Sequence, residues 1–146
     1  MALPGRMGEK KDRKEDTEML QVGTKGTQTI TVTPALTAKE MGSGALEVLA
    51  TPAMIALMEK TAWTSVQPDL EEGWGTVGTR LEVDHLSATP LGMEVTCESV
   101  LTAVEGRKLT FTLTVRDQAG EVGRGTHERF LVQNEKFQAK ANAKGK

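Results

Sequence analysis

In 50-ATPAMIALMEKTAW-63 a single carboxylate, Glu59, stands inside an almost wholly apolar run. Thr51 suits a helix N-cap and Pro52 the first helical position, and the run continues to about Val66 before Pro68. Apolar residues at 53–58, 62, 63 and 66 cover most of the circumference, which predicts a helix buried on most sides. Glu59 then has two readings. It shares one wet edge with Lys60, or it is held inside to do chemistry.

Downstream of the loop 67-QPDLEEGWG-75 the period changes from 3.6 to 2. Val77, Thr79, Leu81, Val83 and His85 fall on one face of a strand, so His85 is expected to point toward the helix. After 89-TPLG-92, residues Met93, Val95, Cys97, Ser99 and Leu101 alternate with polar ones. Glu105-Gly106 marks a tight hairpin, Leu109, Phe111, Leu113 and Val115 alternate with polar partners, and 117-DQAG-120 leads into 121-EVGRGTHERFLVQ-133. Upstream, the threonine-rich 24-TKGTQTITVT-33 suits a strand and 36-LTAKEMG-42 a short helical turn stopped by glycine. One strand, one buried helix and four consecutive strands make an α+β layout, with about five antiparallel strands around one long central helix.

The bulk numbers bound the partners. A chain of 146 residues with net charge −2 and no basic stripe gives no reason to expect nucleic acid, and no apolar run is long enough for a membrane span. Cys97 is the sole cysteine, so no internal disulfide forms, which fits a reducing cytoplasm; its strand-like phase makes it a core thiol. Residues 1–18 are mixed in charge and poor in apolar side chains, and are read as a disordered segment. Residues 19–134 form the domain. The stretch 135–146, with four lysines and one acid, is read as a basic, disordered tail.

The segments 50–62, 76-TVGTRLEVDHLSATPLGMEV-95 and 104-VEGRKLTFTLTVRDQAGEVGRGTHERFLV-132 carry a resemblance to the hot-dog fold, and more narrowly to thioesterases related to fluoroacetyl-coenzyme A thioesterase. The resemblance implies an acyl-coenzyme A (acyl-CoA) thioesterase that needs no cofactor and no metal. It also implies a homodimer, or a dimer of dimers, with active sites at the subunit interface. The family's trio is a Thr, a Glu eight residues later and a His twenty-six residues after that, which fall here on Thr51, Glu59 and His85. Gly78 falls where the family brings backbone close to the substrate. Arg107, Lys108, Arg124 and Arg129 are candidates for the phosphates of coenzyme A, because an Arg fork matches phosphate oxygens.

Glu59 is the acid expected to meet His85. His127, preceded by Gly123 and Gly125, has no readable phase, and the resemblance implies that its segment serves structure and dimer contact. One departure bears on substrate. The fluoroacetyl-specific member has an aromatic lid before the central helix, whereas 42-GSGALEVLA-50 contains no Phe, and Gly42 and Ala45 leave that end open. An acyl group other than fluoroacetyl is therefore expected. A hot-dog hydratase or dehydratase and a non-catalytic acyl-CoA binding module stay open beside the hydrolase.

Overall fold

The structure, a computed structural model, describes residues 20–145. The expected disordered segment 1–18 lies outside the described residues. Five strands, β1 (Lys25–Thr31), β2 (Trp74–His85), β3 (Glu94–Glu105), β4 (Lys108–Asp117) and β5 (Gly120–Gln133), form one antiparallel sheet in the order β1-β3-β4-β5-β2. The β3–β4 and β4–β5 hairpins turn through Gly106 and Gly120, whose positive φ angles of 64° and 145° suit residues without a Cβ. Helix α1 (Ala38–Met41) ends at Gly42 in the left-handed conformation, and helix α2 (Thr51–Val66) follows.

Helix α2 lies across one face of the sheet, touching β1, β2, β3 and β4. Its buried side chains include Met54, Leu57, Met58, Ala62 and Val66. They meet Val95, Leu101, Phe111, Leu113 and Val115, the inward half of each alternating strand. Each fully buried side chain of this size contributes about 1.5–3 kcal/mol. This is the α+β hot-dog arrangement expected from the resemblance. Cys97 is completely buried, and burial pushes its thiol up to about 11, so it is an inert core residue. Among the described residues, no helix is long and apolar enough to cross a membrane.

Three local expectations change. First, the N-cap of α2 is Ala50, with Thr51 the first helical residue and no side chain capping the end. The Thr51 hydroxyl is engaged elsewhere. Second, β2 does not keep one phase. Its register against β5 shifts between Gly78 and Arg80, which leaves Thr79 as an extra residue in a bulge. Thr76 and Gly78 face the helix before the bulge, and Leu81, Val83 and His85 face it afterward. Val77, expected on the inner face, instead pairs with the exposed Phe130. Third, the tail expected to be disordered winds into helix α3 (Asn134–Ala143), with no buried residue. Two ties hold its start: the Asn134 N–H donates to the Gly73 carbonyl, and the Gln133 side chain accepts from the Lys136 N–H.

Candidate active site

Two polar clusters lie along α2. At its N-terminal end, Thr51 Oγ1 is 2.8 Å from His85 Nδ1. The strand carries His85 there because it is the last residue of β2, paired with Gly123 on β5. The other ring nitrogen, Nε2, is buried and has no hydrogen-bond partner among the described residues. Burial pushes the His85 pKa below its usual 6.5, opposed in part by a backbone contact at Ser87. The ring is therefore neutral near pH 7 and holds one protonated and one basic nitrogen. Thr51 and His85 open onto a cleft of about 310 Å³ whose other lining includes Ser43, Val48, Leu49 and Ala88. Among the described residues, no Phe, Trp or Tyr lines it.

Two turns further along α2, about 12 Å by helical rise, stands Glu59. Its Oε2 accepts from Arg129 Nη1 at 3.3 Å and lies 3.9 Å from His127 Nε2. Arg129 is buried and tightly held: Nε donates to Thr76 Oγ1 at 2.8 Å and Nη2 to the Thr76 carbonyl at 3.0 Å. Its Nη1 is also 3.0 Å from His127 Nε2. Four of the donor contacts open to a guanidinium are thus filled, which lets a cation sit where water does not reach. Burial lowers the Arg129 pKa, while Glu59 opposes that shift.

The same contacts fix the His127 tautomer. Nδ1 is 2.9 Å from the Arg80 carbonyl, which only accepts, so Nδ1 carries the proton. Nε2 faces a guanidinium, which only donates, so Nε2 is bare. The ring is fully buried near Phe111, at a centroid distance of 6.2 Å. Its pKa is lowered, chiefly by burial, with Arg129 adding to the effect and Arg80, Glu59 and Glu128 opposing it. Gly78 belongs here too. A Cβ on it would run into Glu59 Oε2 and lie 3.1 Å from the His127 ring, so only glycine leaves the carboxylate its place.

The expected pairing of Glu59 with His85 is therefore absent within one protomer: Glu59 meets Arg129 and His127, and His85 meets Thr51. Arg129 is bound to protein groups rather than presented to a phosphate. His127 was hidden in the sequence by the glycines that precede it and by the bulge at Thr79. The pairings Leu81↔His127 and Gly78↔Arg129 show where it points, and no sequence pattern carries that register.

Comparisons with known proteins bear on the family and the fold. The profile of the fluoroacetyl-CoA-specific thioesterase family matches residues 32–135. The fluoroacetyl-CoA thioesterase of Streptantibioticus cattleyicolor is 44% identical over 98 residues, 67% of this chain and 70% of that protein. A crystal structure of the fluoroacetyl-CoA thioesterase FlK superposes with a TM-score of 0.81 at 37% identity, covering 86% of this chain and 97% of that one. A hot-dog-like protein from Thermanaerovibrio acidaminovorans gives 0.79 at 26% identity, covering 88% and 95%. The fold, the matched span and these relatives lead to one assignment: the chain belongs to the fluoroacetyl-CoA-specific thioesterase family.

Proposed function

We propose that this protein is an acyl-CoA thioesterase, working as a homodimer, that hydrolyses a thioester whose acyl group is not fluoroacetyl. The observation that carries the proposal is the Thr51–His85 hydrogen bond at the uncapped end of α2, opening on a cleft. A thioester carbonyl laid there meets Thr51 and the first-turn N–H groups, where the positive end of the helix favours the developing oxyanion. Hydrolysis forms a C–O bond at the acyl carbon and breaks the C–S bond, and the departing thiolate takes up a proton. Glu59 activates the water. Arg129 holds only Oε2, and no partner engages Oε1 among the described residues. His85, neutral at the working pH, orients Thr51 and relays the proton to the leaving sulfur.

The two clusters belong to one site if a second copy joins them. Around Glu59 the outer side of α2 shows exposed Pro52 and Ala56, half-buried Ile55 and Trp63, which is 39% exposed. The twelve-residue strand β2 is a sheet edge with no partner on its outer side among the described residues. Both features favour a neighbour. A twofold pairing of β2 with its copy, centred near Leu81 and Glu82, would set His85 opposite Gly78 of the partner subunit. The same operation would set Thr51 against Glu59 of the partner subunit. The cytoplasmic location rests only on the single, buried cysteine.

The substrate reading rests on 42-GSGALEVLA-50. Ser43, Val48 and Leu49 from this stretch line the cleft, and Leu46 points away at 68% exposure. Among the described residues no Phe, Trp or Tyr closes the cleft, which leaves room for a bulkier acyl group. The test is thiol release from a panel of acyl-CoA thioesters of increasing chain length. The expected result is turnover that peaks on an acyl group larger than fluoroacetyl. Binding without turnover across the panel would favour a non-catalytic sensor, and a preference for fluoroacetyl-CoA would overturn the substrate reading.

A further inference from the structure

At the opposite end of β2 from His85 lies a second cleft, of about 240 Å³, between the start of β2, the β3–β4 hairpin and helix α3. Trp74, Val132 and Phe137 supply its apolar lining, and Arg107, Lys136 and Lys140 its charge. The helix concentrates that charge because Lys136 and Lys140 are one turn apart on the same side as Phe137. Of the four basic residues that suit phosphates in the sequence, three are already bound to carboxylates. Lys108 is 3.6 Å from Glu105, Arg124 is 3.6 Å from Glu121, and Arg129 is 3.3 Å from Glu59. Arg107, Lys136 and Lys140 have no carboxylate within ion-pair distance among the described residues. Three uncompensated cations gathered around two aromatic rings, on a chain of net charge −2, call for an anion with a flat apolar part.

We infer that this cleft binds the 3′-phosphorylated adenosine diphosphate end of coenzyme A, an inference that rests on the acyl-CoA reading above. The adenine would lie against Trp74 and Phe137, and Arg107, Lys136 and Lys140 would take the phosphates. Strand β2 joins the two regions. Trp74 lies four residues before Gly78, about 13 Å at strand rise, so one extended arm of the substrate links the nucleotide to the thioester.

The experiment compares wild type with a Lys136→Glu/Lys140→Glu double variant and with Arg107→Ala. Because all three side chains lie at the surface, the fold is retained. A Lys25→Glu/Lys39→Glu variant makes the same charge change elsewhere. Titration with adenosine 3′,5′-bisphosphate is expected to show binding that the cleft variants weaken roughly tenfold and the control leaves alone. In turnover, KM for acyl-CoA rises roughly tenfold with kcat kept, while KM for the matching acyl-pantetheine, which lacks the nucleotide, does not move. No bisphosphate binding to wild type, equal binding to all variants, or a KM rise shared by both thioesters overturns the inference. A wild type that releases thiol from neither thioester would end the thioesterase reading, and the bisphosphate titration would still judge the cleft.

Discussion

Replacing Glu59 by Ala is expected to lower kcat for the preferred acyl-CoA by roughly a thousandfold or more, with KM changed far less. Among the described residues the carboxylate is the acid the structure sets beside Gly78, with Oε1 unengaged, whereas the bare Nε2 of the neighbouring His127 is fully buried and turned to Arg129. The variant has a second consequence, which separates chemistry from folding. Arg129 is 6% exposed and would lose the charge that balances it. Leaving a buried cation unpaired is costly; because Glu59 itself is 38% exposed in the protomer, water softens the loss to about 1–2 kcal/mol. Glu59→Gln keeps an oxygen for Arg129 to bind but cannot act as a base. Its melting temperature should therefore recover toward wild type while its kcat stays as low as that of Glu59→Ala. A Gln variant with wild-type kcat would remove Glu59 from the chemistry.

The second large effect is at His85. His85→Ala is expected to lower kcat/KM by roughly a hundredfold to a thousandfold. Thr51→Ala should be nearly as damaging, and the double variant little worse than either alone, because the two side chains act through one 2.8 Å hydrogen bond. Additive losses in that cycle would deny the coupling. The pH profile follows from the same geometry. The basic form of His85 is needed, and burial holds its pKa below 6.5, so kcat/KM should stay level down through pH 6.5 and fall only beneath it. Stability moves in the same sense. His85 and His127 both bind protons more weakly folded than unfolded, so the unfolded chain takes up protons first as the pH drops. Their contribution is complete above about pH 6.5 and is lost as the pH falls through the lowered folded values.

The parts of the fold that depend on local pattern were legible in the sequence. The run 53–58 with Pro52 and Pro68 bracketed α2, and the alternation through Val95–Leu101 and Leu109–Val115 marked the inward faces of β3 and β4, though not the shift of register between Leu101 and Ala103. The resemblance placed Thr51, Glu59 and His85, and the structure sets all three along one helix and the strand beside it. What stayed hidden was whatever depends on register between distant strands. One extra residue at Thr79 exchanges the two faces of β2, so Val77 turns outward and Thr76 inward. That exchange carries Arg129 and His127 to Glu59, and a periodicity count running straight through the bulge misses it. The Thr51 cap failed for a different reason, since a hydroxyl that suits an N-cap also suits an imidazole, and composition does not say which the fold offers. Helix α3 escaped notice because it buries nothing; only its ties to Gly73 and Gln133 mark where it begins.

The most direct test of the account mixes two inactive proteins. His85→Ala and Glu59→Ala proteins are unfolded together, refolded and assayed for thiol release. If each site takes its imidazole from one subunit and its acid from the other, half of the dimers are hybrids and each hybrid regains one intact site. Activity should then return to roughly one quarter of wild type. A mixture as inactive as its two parents, with hybrid dimers demonstrated by mass, would contradict a site shared between Thr51–His85 of one protomer and Glu59 of its partner.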